Sequence, residues 1–229
     1  EPNDFVVQAV AAIPHQGRVL CLADGEGRNS VWLAGQGFRV TAVDVAEQGV
    51  AKGRELARAS GVEIETRVAD VTRFDLGVER WDAIVSIFLH LPSKARRDLH
   101  HRAIAALAPG GVFVYEAYGP GQLRYRTGGP PEPQLLHSLD DVVSDFDGCA
   151  VEHAFEGVRA VRVHLAPPLF ARRDPDTGLP RKTEFGPWML SAMAGLARLR
   201  GLRRFAGGAF DPFGRTAERR MERAMIGDY

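Results

Sequence analysis

Two glycines placed between two apolar runs constrain this chain more than any other feature. The first run, residues 19–23, leads into Asp-Gly-Glu-Gly over residues 24–27, and the second, residues 38–43, ends in Asp44. A strand, a glycine turn, a helix and a second strand tipped with a carboxylate form the layout that a nucleotide-type cofactor needs. Glycines let backbone N–H groups approach a ligand closely, and Asp44 can accept bonds from both hydroxyls of a ribose. The sequence therefore predicts a cofactor site here.

The charge of the glycine turn bears on which cofactor fits. Two glycines are weak evidence, and because Ser30 partly satisfies the third small position of a dinucleotide fingerprint, the spacing alone leaves NAD open. Asp24 and Glu26 make the turn acidic, which would repel a pyrophosphate and suits a cation bearing an amino acid. S-adenosylmethionine is such a ligand. No tyrosine-lysine pair of the kind found in NAD-dependent oxidoreductases is apparent, so NAD is the less favoured alternative.

Residues 19–29 and 38–44 resemble the first motif of class I S-adenosylmethionine-dependent methyltransferases, near the tellurite-resistance and thiopurine branch. The resemblance covers about residues 1–161, with Cys21 where the family usually has an acid and Ala23 in place of the first glycine. It implies S-adenosylmethionine as the cofactor and a small-molecule methyl acceptor. The cofactor-binding residues that it implies are Ala23, Asp24, Gly25, Glu26, Gly27, Asn29, Asp44, Val45, Asp70, Val71, Ser86 and Ile87.

Two later segments belong to the same resemblance. In similar methyltransferases the acid corresponding to Asp70 binds the adenine amino group, although a cap for the turn at Thr72 is the plainer interpretation. Residues 82–92 resemble motif IV, whose strand end lines the methyl-transfer cavity. His90 could accept a proton from the acceptor, and Tyr118 could line the pocket, but a lone histidine between leucines is more often a packing residue. A soft nucleophile such as sulfur needs no base, so the catalytic residues stay unassigned.

Helical and strand-like patterns alternate along the chain, which predicts a parallel sheet with helices on both faces. Residues 150–164 alternate on both sides of Glu156 and Gly157, which predicts a closing hairpin. The predicted fold class is α/β: a Rossmann-like doubly wound, mostly parallel sheet with a closing antiparallel hairpin and a helical C-terminal appendage. Predicted helices are residues 4–13, 29–35, 46–60, 93–107 and 134–146, and predicted strands are residues 18–23, 38–44, 62–68, 81–87 and 112–117.

Composition limits the classes of protein to consider. The chain has 229 residues, 45% of them hydrophobic and 25% charged, which is enough for one full core. No apolar run reaches the roughly 18 residues of a membrane span, and no signal-peptide pattern is present. Cys21 and Cys149 lie far apart, which favours reduced thiols. We expect a cytoplasmic protein without a metal site.

Residues 162–229 differ in kind from the rest, with 13 Lys and Arg against 7 Asp and Glu. They resemble the C-terminal segment of indolepyruvate ferredoxin oxidoreductases, but carry neither a thiamine-diphosphate motif nor a cysteine cluster. The pattern predicts a Pro-rich connector and helices over residues 185–205 and 216–226, the first with an apolar face and nearby arginines. The chain thus divides into a methyltransferase domain, residues 1–165, and a tail, residues 166–229. The basic helix could bind a protein partner; we expect no membrane or nucleic-acid partner.

Two classes of function remain open. The first is an S-adenosylmethionine-dependent methyltransferase acting on a small molecule. The second is a noncatalytic C-terminal part of an indolepyruvate (2-oxoacid) ferredoxin oxidoreductase fused to a methyltransferase-like domain. Only the first predicts saturable binding of S-adenosylmethionine.

Overall fold

The fold is a seven-stranded sheet with helices on both faces. A computed structural model describes residues 1–124, 128–160 and 189–198. The strands are β1 Arg18–Leu22, β2 Arg39–Asp44, β3 Glu65–Val68, β4 Trp81–Ile87, β5 Leu107–Tyr118, β6 Ala150–Ala160 and β7 Met189–Arg198. The helices are α1 Asp4–Ala9, α2 Arg28–Gly35, α3 Glu47–Ala59, α4 Ser93–Ala106 and α5 Leu139–Val143.

The strand order, β3-β2-β1-β4-β5-β7-β6, places a topological switch at the centre of the sheet. β1 pairs in parallel with both β2 and β4, so the chain builds one half of the sheet outward to β3 and then returns to the other side of β1. In such sheets the ligand crevice lies outside the carboxyl ends of the strands at the switch. The fold therefore fixes the crevice beside the glycine turn that follows β1.

The central strands are buried on both faces, as their unbroken apolar sequences predict. Side chains alternate across the sheet, so Leu20 and Ile84 pack in the cluster on the α4 and α5 side. Val19 and Val85 pack in the cluster beneath α1 and α2. The predicted doubly wound, mostly parallel sheet is confirmed.

Polar side chains cap the first turns of α1 and α5. The Asn3 side chain accepts bonds from the backbone N–H groups of Phe5 and Val6 at the start of α1, and Ser138 forms a capping box with Asp141 at α5. The helix predicted over residues 4–13 is shorter than expected, because a 3-10 turn over Val10–Ala12 replaces its second half. The helix predicted over residues 134–146 is likewise broken into 3-10 turns on either side of α5.

The antiparallel edge of the sheet differs from the prediction. β6 runs unbroken through Glu156 and Gly157, so the hairpin predicted within residues 150–164 is wrong, and the antiparallel partner of β6 is β7. Gly157 lies in the strand because the Phe155 ring packs against it, where an added Cβ would come within 2.3 Å of that ring. The Glu156 carboxylate accepts the backbone N–H of Leu139 at 2.8 Å, which ties β6 to α5.

β7 also corrects the prediction for the C-terminal appendage. Residues 189–198 are a strand between β5 and β6 rather than part of a helix over residues 185–205. The second predicted helix, residues 216–226, lies outside the described residues, as do the arginines expected to contact a protein partner at residues 200–204. The division at residue 165 stays a prediction, although β7 joins the sheet of the first predicted domain. In the described part of the chain, no helix is long and apolar enough to cross a membrane.

Candidate functional site

Asp44 clasps the glycine turn at the carboxyl ends of β1 and β2. Its Oδ2 atom accepts the backbone N–H of Gly25 at 2.8 Å, and its Oδ1 atom accepts that of Ala46 at 2.8 Å. Each carboxylate oxygen has a second lone pair, so both can still accept a ligand hydroxyl. The carboxylate is thereby held in one orientation by the backbone on either side of it.

The two glycines of the turn serve different purposes. Both adopt left-handed backbone conformations, with φ of 61° at Gly25 and 82° at Gly27. A Cβ added to Gly25 would meet nothing within 4 Å, whereas one added to Gly27 would lie 2.8 Å from the Cα of Gly53 on α3. Gly25 thus borders open space, where a ligand can approach the backbone, and Gly27 permits close packing between the turn and α3.

Two glycines of α3 were not predicted as part of this arrangement. Gly49 and Gly53 lie one helical turn apart, and a Cβ added to Gly49 would come within 3.0 Å of the Gly25 carbonyl oxygen. Glycine lowers helix stability by about 1 kcal/mol relative to alanine, so a pair at this spacing calls for a packing reason. The spacing of these two glycines in the sequence could have predicted that the glycine turn packs against α3.

The carboxylate of Asp24 is buried and has no close hydrogen-bond partner in the described part of the chain. Both of its carboxylate oxygens are inaccessible to solvent, and the nearby Ser30 hydroxyl donates to the carbonyl of Gly27 at 3.2 Å. Burial is the main cause that raises the pKa of Asp24 to about 6, with a further contribution from the negative charge of Asp44. Long hydrogen-bonding contacts with the side chain and backbone of Ser30, and the positive charge of Arg28, lower the pKa but do not outweigh burial. Such a group favours a positively charged neighbour.

The remaining predicted residues of the turn have structural contacts. Glu26 forms an exposed ion pair with Lys52, 2.5 Å from carboxylate to ammonium, which lowers the pKa of Glu26. The Asn29 Oδ1 atom accepts the backbone N–H of Asn3 at 2.8 Å, joining α1 to α2. The backbone φ of Ala23 is 51°, in the left-handed region. A glycine, which the resembling methyltransferases usually have at this position, adopts this conformation without strain. The negative charge at the glycine turn that is not paired with a cationic side chain therefore rests on Asp24 and Asp44. The assignment of Glu26 and Asn29 to the cofactor stays a prediction.

The predicted adenine side of the site is partly exposed. Val45, the residue that follows Asp44, is 72% exposed, so its apolar side chain is available to pack against a ligand ring. Val71 instead packs in the core. Asp70 caps the following turn, because its Oδ1 atom accepts the backbone N–H of Thr72 at 2.9 Å and its hydroxyl at 2.7 Å, and these bonds lower the pKa of Asp70. The alternative interpretation of Asp70 as a cap is thus observed, and its contact with adenine stays a prediction.

The carboxyl ends of β4 and β5 form the other wall of the crevice. Ser86 and Ile87 are buried at the end of β4, and no described residue hydrogen-bonds the Ser86 hydroxyl. Phe88 follows with φ of 56°, a strained conformation for a bulky residue, and its N–H donates to the carbonyl of Glu116 at 2.7 Å. Strain of this kind concentrates at functional sites.

Tyr118 is an aromatic platform at the end of β5. Its ring stacks with those of Phe88 at 4.9 Å and His90 at 5.5 Å between centroids. A Cβ added to Gly129 would lie 2.4 Å from the Tyr118 ring, so the backbone that leads to α5 packs closely on it. Burial raises the pKa of Tyr118. The phenol therefore stays protonated at neutral pH, and its ring supplies a packing surface rather than a base.

A second polar cluster lies beneath α4, and the sequence did not predict it. Asp145 is buried and accepts bonds from Arg96 Nε at 2.7 Å and Arg96 Nη2 at 3.1 Å. His100 Nδ1 lies 2.8 Å from the same carboxylate. Burial alone would raise the pKa of Asp145, but the hydrogen bonds from His100 and Arg96 outweigh it and hold the pKa below its usual range. This cluster joins α4 to the segment after α5.

The arrangement around the switch point fits a cationic nucleoside. Gly25 offers open space beside a backbone N–H, and Asp44 retains lone pairs for two hydroxyls. Val45 presents an exposed apolar face, and the Asp24 carboxylate lacks a partner among the described residues. A ribose, an adenine and a positive charge are the groups that these features would accommodate.

Two different protein families match separate parts of the chain. Residues 19–111, from β1 into β5, match the family described as a methyltransferase domain. Residues 142–229 match a family described as one of unknown function. The second match begins within α5 and covers β6 and β7. Its description names no activity, so the resemblance to the oxidoreductase segment stays a prediction.

Individual relatives agree with the first of these matches. A ubiquinone biosynthesis O-methyltransferase from Paramagnetospirillum magneticum is 35% identical over 104 residues, which is 44% of this chain and 41% of that protein. The chain thus matches about two fifths of the length of this curated relative.

Solved structures show the same fold over most of the chain. TehB from Haemophilus influenzae aligns with a TM-score of 0.64 and 20% identity, over 86% of this chain and 62% of that one. An S-adenosylmethionine-dependent methyltransferase from Methanosarcina mazei aligns with a TM-score of 0.61 and 14% identity, over 84% and 97% of the two chains. A solved structure from work on the conversion of a disulfide bond into a thioacetal group during echinomycin biosynthesis aligns with a TM-score of 0.63 and 21% identity. The alignment covers 100% of this chain and 89% of that one. Residues 19–111 thus match a methyltransferase-domain family, and the described fold is similar to that of S-adenosylmethionine-dependent methyltransferases of known structure.

Proposed function

We propose that this protein transfers a methyl group from S-adenosylmethionine to a small-molecule acceptor. The observation that carries the proposal is the Asp44 clasp, which holds a carboxylate beside the open backbone of Gly25 at the switch point of the sheet. The match of residues 19–111 to a methyltransferase domain supports the same conclusion.

Four residues would hold the cofactor. Asp44 would accept the ribose hydroxyls, and Val45 would cover one face of the adenine ring. Gly25 would border the methionine part of the ligand, and the Asp24 carboxylate would offset its positive charge. When bound, S-adenosylmethionine supplies a methyl group on a positively charged sulfur.

The ends of β4 and β5 would bind the methyl acceptor. Ser86, Phe88 and Tyr118 surround this end of the crevice with a buried hydroxyl and two stacked rings. Apolar walls with a few polar groups are typical of pockets for small molecules. Holding a nucleophile in line with the methyl group and away from water provides much of the acceleration that such a transfer needs.

Titration calorimetry tests the proposal directly. S-adenosylmethionine and S-adenosylhomocysteine should each bind the full chain saturably, and NAD should not. Asp75→Ala is the matched control for Asp44→Ala. Asp75 also accepts a backbone N–H, that of Gly77 at 2.9 Å, but in a turn outside the proposed site. Asp75→Ala should leave the affinity for S-adenosylmethionine unchanged. Binding of NAD without binding of S-adenosylmethionine would overturn the proposal.

A further inference from the structure

Asp24 lies where the cofactor has to pass from one wall of the crevice to the other. It follows β1, and the order of the sheet places β1 between β2 and β4. Asp44, which would bind the ribose, ends β2, and the acceptor wall begins at the end of β4. Neighbouring strands lie roughly 5 Å apart, so the ligand atoms between the ribose and the transferred methyl group pass over the end of β1. The positively charged sulfur is among those atoms.

The carboxylate of Asp24 is buried without a close cation. Both of its oxygen atoms are inaccessible to solvent and lack a close hydrogen-bond partner among the described residues. Asp24 also lines a small cavity of about 10 Å³ between the glycine turn, β2 and α3, which is room for one water molecule. Buried carboxylates are nearly always paired, so this exception points to a positively charged ligand.

The groups that face Asp24 from α2 and β2 do not neutralise it. Arg28 and long hydrogen-bonding contacts with Ser30 lower its pKa from the side of α2, whereas the negative charge of Asp44 raises it from the end of β2. Burial outweighs all three and is the main cause of the raised pKa.

The neighbouring groups on β1 and α3 leave the charge of Asp24 unpaired as well. On β1, the Cys21 thiol is buried, and the negative charge of Asp24 contributes to the rise of its pKa. On α3, the ammonium of Lys52 is paired with the exposed carboxylate of Glu26. Within the described residues, the positive charge nearest to hand on α3 is therefore already taken.

A buried charge acts on a ligand without touching it. Opposite charges a few ångströms apart attract each other several times more strongly where water is excluded than in bulk water. S-adenosylmethionine has a positively charged sulfur, whereas S-adenosylhomocysteine lacks the methyl group and has a neutral one. The two ligands are otherwise alike. A carboxylate near the sulfur therefore favours the first ligand over the second.

We propose that Asp24 is a specificity-determining residue whose negative charge makes the site select S-adenosylmethionine over S-adenosylhomocysteine. The inference rests on the proposed methyltransferase function. When a lone pair of the acceptor forms its bond to the methyl carbon, the carbon–sulfur bond breaks, and its electron pair stays on sulfur. The sulfur thereby loses its positive charge and its attraction to Asp24. The product then leaves the site more easily than the cofactor does.

The same charge makes the selection depend on pH. The pKa of Asp24 is about 6, so its carboxylate is negative above this pH and neutral below it. The preference for S-adenosylmethionine should be complete above about pH 7 and should decrease by up to about tenfold per pH unit as the pH falls below 6. The affinity for S-adenosylhomocysteine should stay nearly constant over this range.

Titration calorimetry of the full chain at pH 7.5 tests the selection. The wild type should bind S-adenosylmethionine at least about tenfold more tightly than S-adenosylhomocysteine. Sinefungin, which carries an ammonium in place of the methylsulfonium group, should follow S-adenosylmethionine. Asp24→Asn should bring the two affinities to within about threefold of each other, chiefly by weakening the binding of S-adenosylmethionine. Asp75→Asn is the matched control, because the exposed Asp75 lies in a turn outside the site, and it should keep the wild-type ratio.

Proton release from the wild type supplies a second readout that does not depend on a variant. Calorimetry at pH 6 in two buffers of different ionisation enthalpy counts the protons released on binding. S-adenosylmethionine should release up to about half a proton per site, since about half of the Asp24 carboxyl groups are protonated at that pH. S-adenosylhomocysteine should release none.

The contrary results are distinct. If the wild type binds neither ligand, the proposed function itself is wrong. If it binds both and Asp24→Asn keeps the wild-type ratio of affinities, the role of Asp24 alone is wrong. Equal weakening of both ligands by Asp24→Asn, or equal proton release by both, would place the carboxylate beside the amino group that the ligands share. That result would also overturn selection at the sulfur.

Discussion

Two buried carboxylates, Asp24 after β1 and Asp145 beneath α4, have pKa values shifted in opposite directions. Asp145 accepts hydrogen bonds from Arg96 and His100, which hold its pKa below the usual range despite burial. Asp24 has no close hydrogen-bond partner in the described part of the chain, and burial raises its pKa to about 6. A buried carboxylate that is paired with cationic side chains joins secondary-structure elements, whereas one without a close cation is a place where a positively charged ligand can bind. The difference separates a cluster that maintains the fold from the region that we propose binds the cofactor.

The pKa shifts of Asp145 and Asp24 also predict opposite changes in folding stability as the pH falls. The pKa of Asp145 is depressed, so its stabilising effect is present above the unfolded value near 3.9 and is lost as the pH falls through the folded value. His100 adds to this trend, because burial lowers its pKa and the folded state resists protonation as the pH falls below about 6.5. The pKa of Asp24 is raised, so protonation between about pH 6 and pH 4 stabilises the folded state.

Breaking the paired cluster should have the largest effect. Asp145→Asn leaves the Arg96 guanidinium buried without a counter-charge and should lower the free energy of unfolding by about 3 to 5 kcal/mol. Urea denaturation at pH 7 measures this loss. Asp147→Asn removes an exposed carboxylate two residues further along and should change stability by less than about 0.5 kcal/mol. Equal effects of the two substitutions would show that the cluster does not stabilise the fold.

Neutralising the unpaired carboxylate should act in the opposite direction. Asp24→Asn keeps the size of the side chain and removes a buried charge, so it should raise the free energy of unfolding at pH 7.5 by about 2 to 3 kcal/mol. The gain should disappear near pH 4, where Asp24 of the wild type is protonated. Urea titrations at the two pH values test this, and a loss of stability at pH 7.5 would mean that Asp24 belongs to a satisfied network.

Removing the Asp44 carboxylate should reduce the affinity for the ligand more than it reduces the stability of the fold. Asp44→Ala deletes an ionised acceptor of two backbone N–H groups, and it should weaken the affinity for S-adenosylmethionine by about 2 kcal/mol, or roughly thirtyfold in Kd. Calorimetry measures the affinity, and circular dichroism checks that the variant remains folded. Unchanged Kd in a folded variant would remove Asp44 from the site.

Relieving strain in the turn should have the smallest effect. Ala23 has a left-handed backbone conformation in which a Cβ costs about 1 kcal/mol. Ala23→Gly should therefore raise the melting temperature by a few degrees, with a stabilisation of about 0.5 to 1 kcal/mol. A lower melting temperature would indicate that the methyl group of Ala23 contributes more to packing than its conformation costs.

Local patterns predicted the parallel part of the sheet and the glycine turn well. The continuous apolar runs of β1 and β4 reflect burial on both faces, and the position of Asp44 follows from the strand that precedes it. The pairing of Asp145 with Arg96 could not be predicted in this way, because it joins residues brought together only by the folded chain. β7 has many alanine, leucine and methionine residues, which favour helix locally, and its pairing with β5 and β6 overrides that preference.

A structure of the protein with S-adenosylhomocysteine would show directly whether the ligand binds at the Gly25 turn. We expect the ribose hydroxyls to lie within hydrogen-bonding distance of Asp44, with the ligand passing over Gly25. We also expect the contacts between Asp145, Arg96 and His100 to remain as they are in the free protein. A ligand bound away from the Gly25 turn, or bound in contact with Asp145, would contradict the division between a binding region and a structural one.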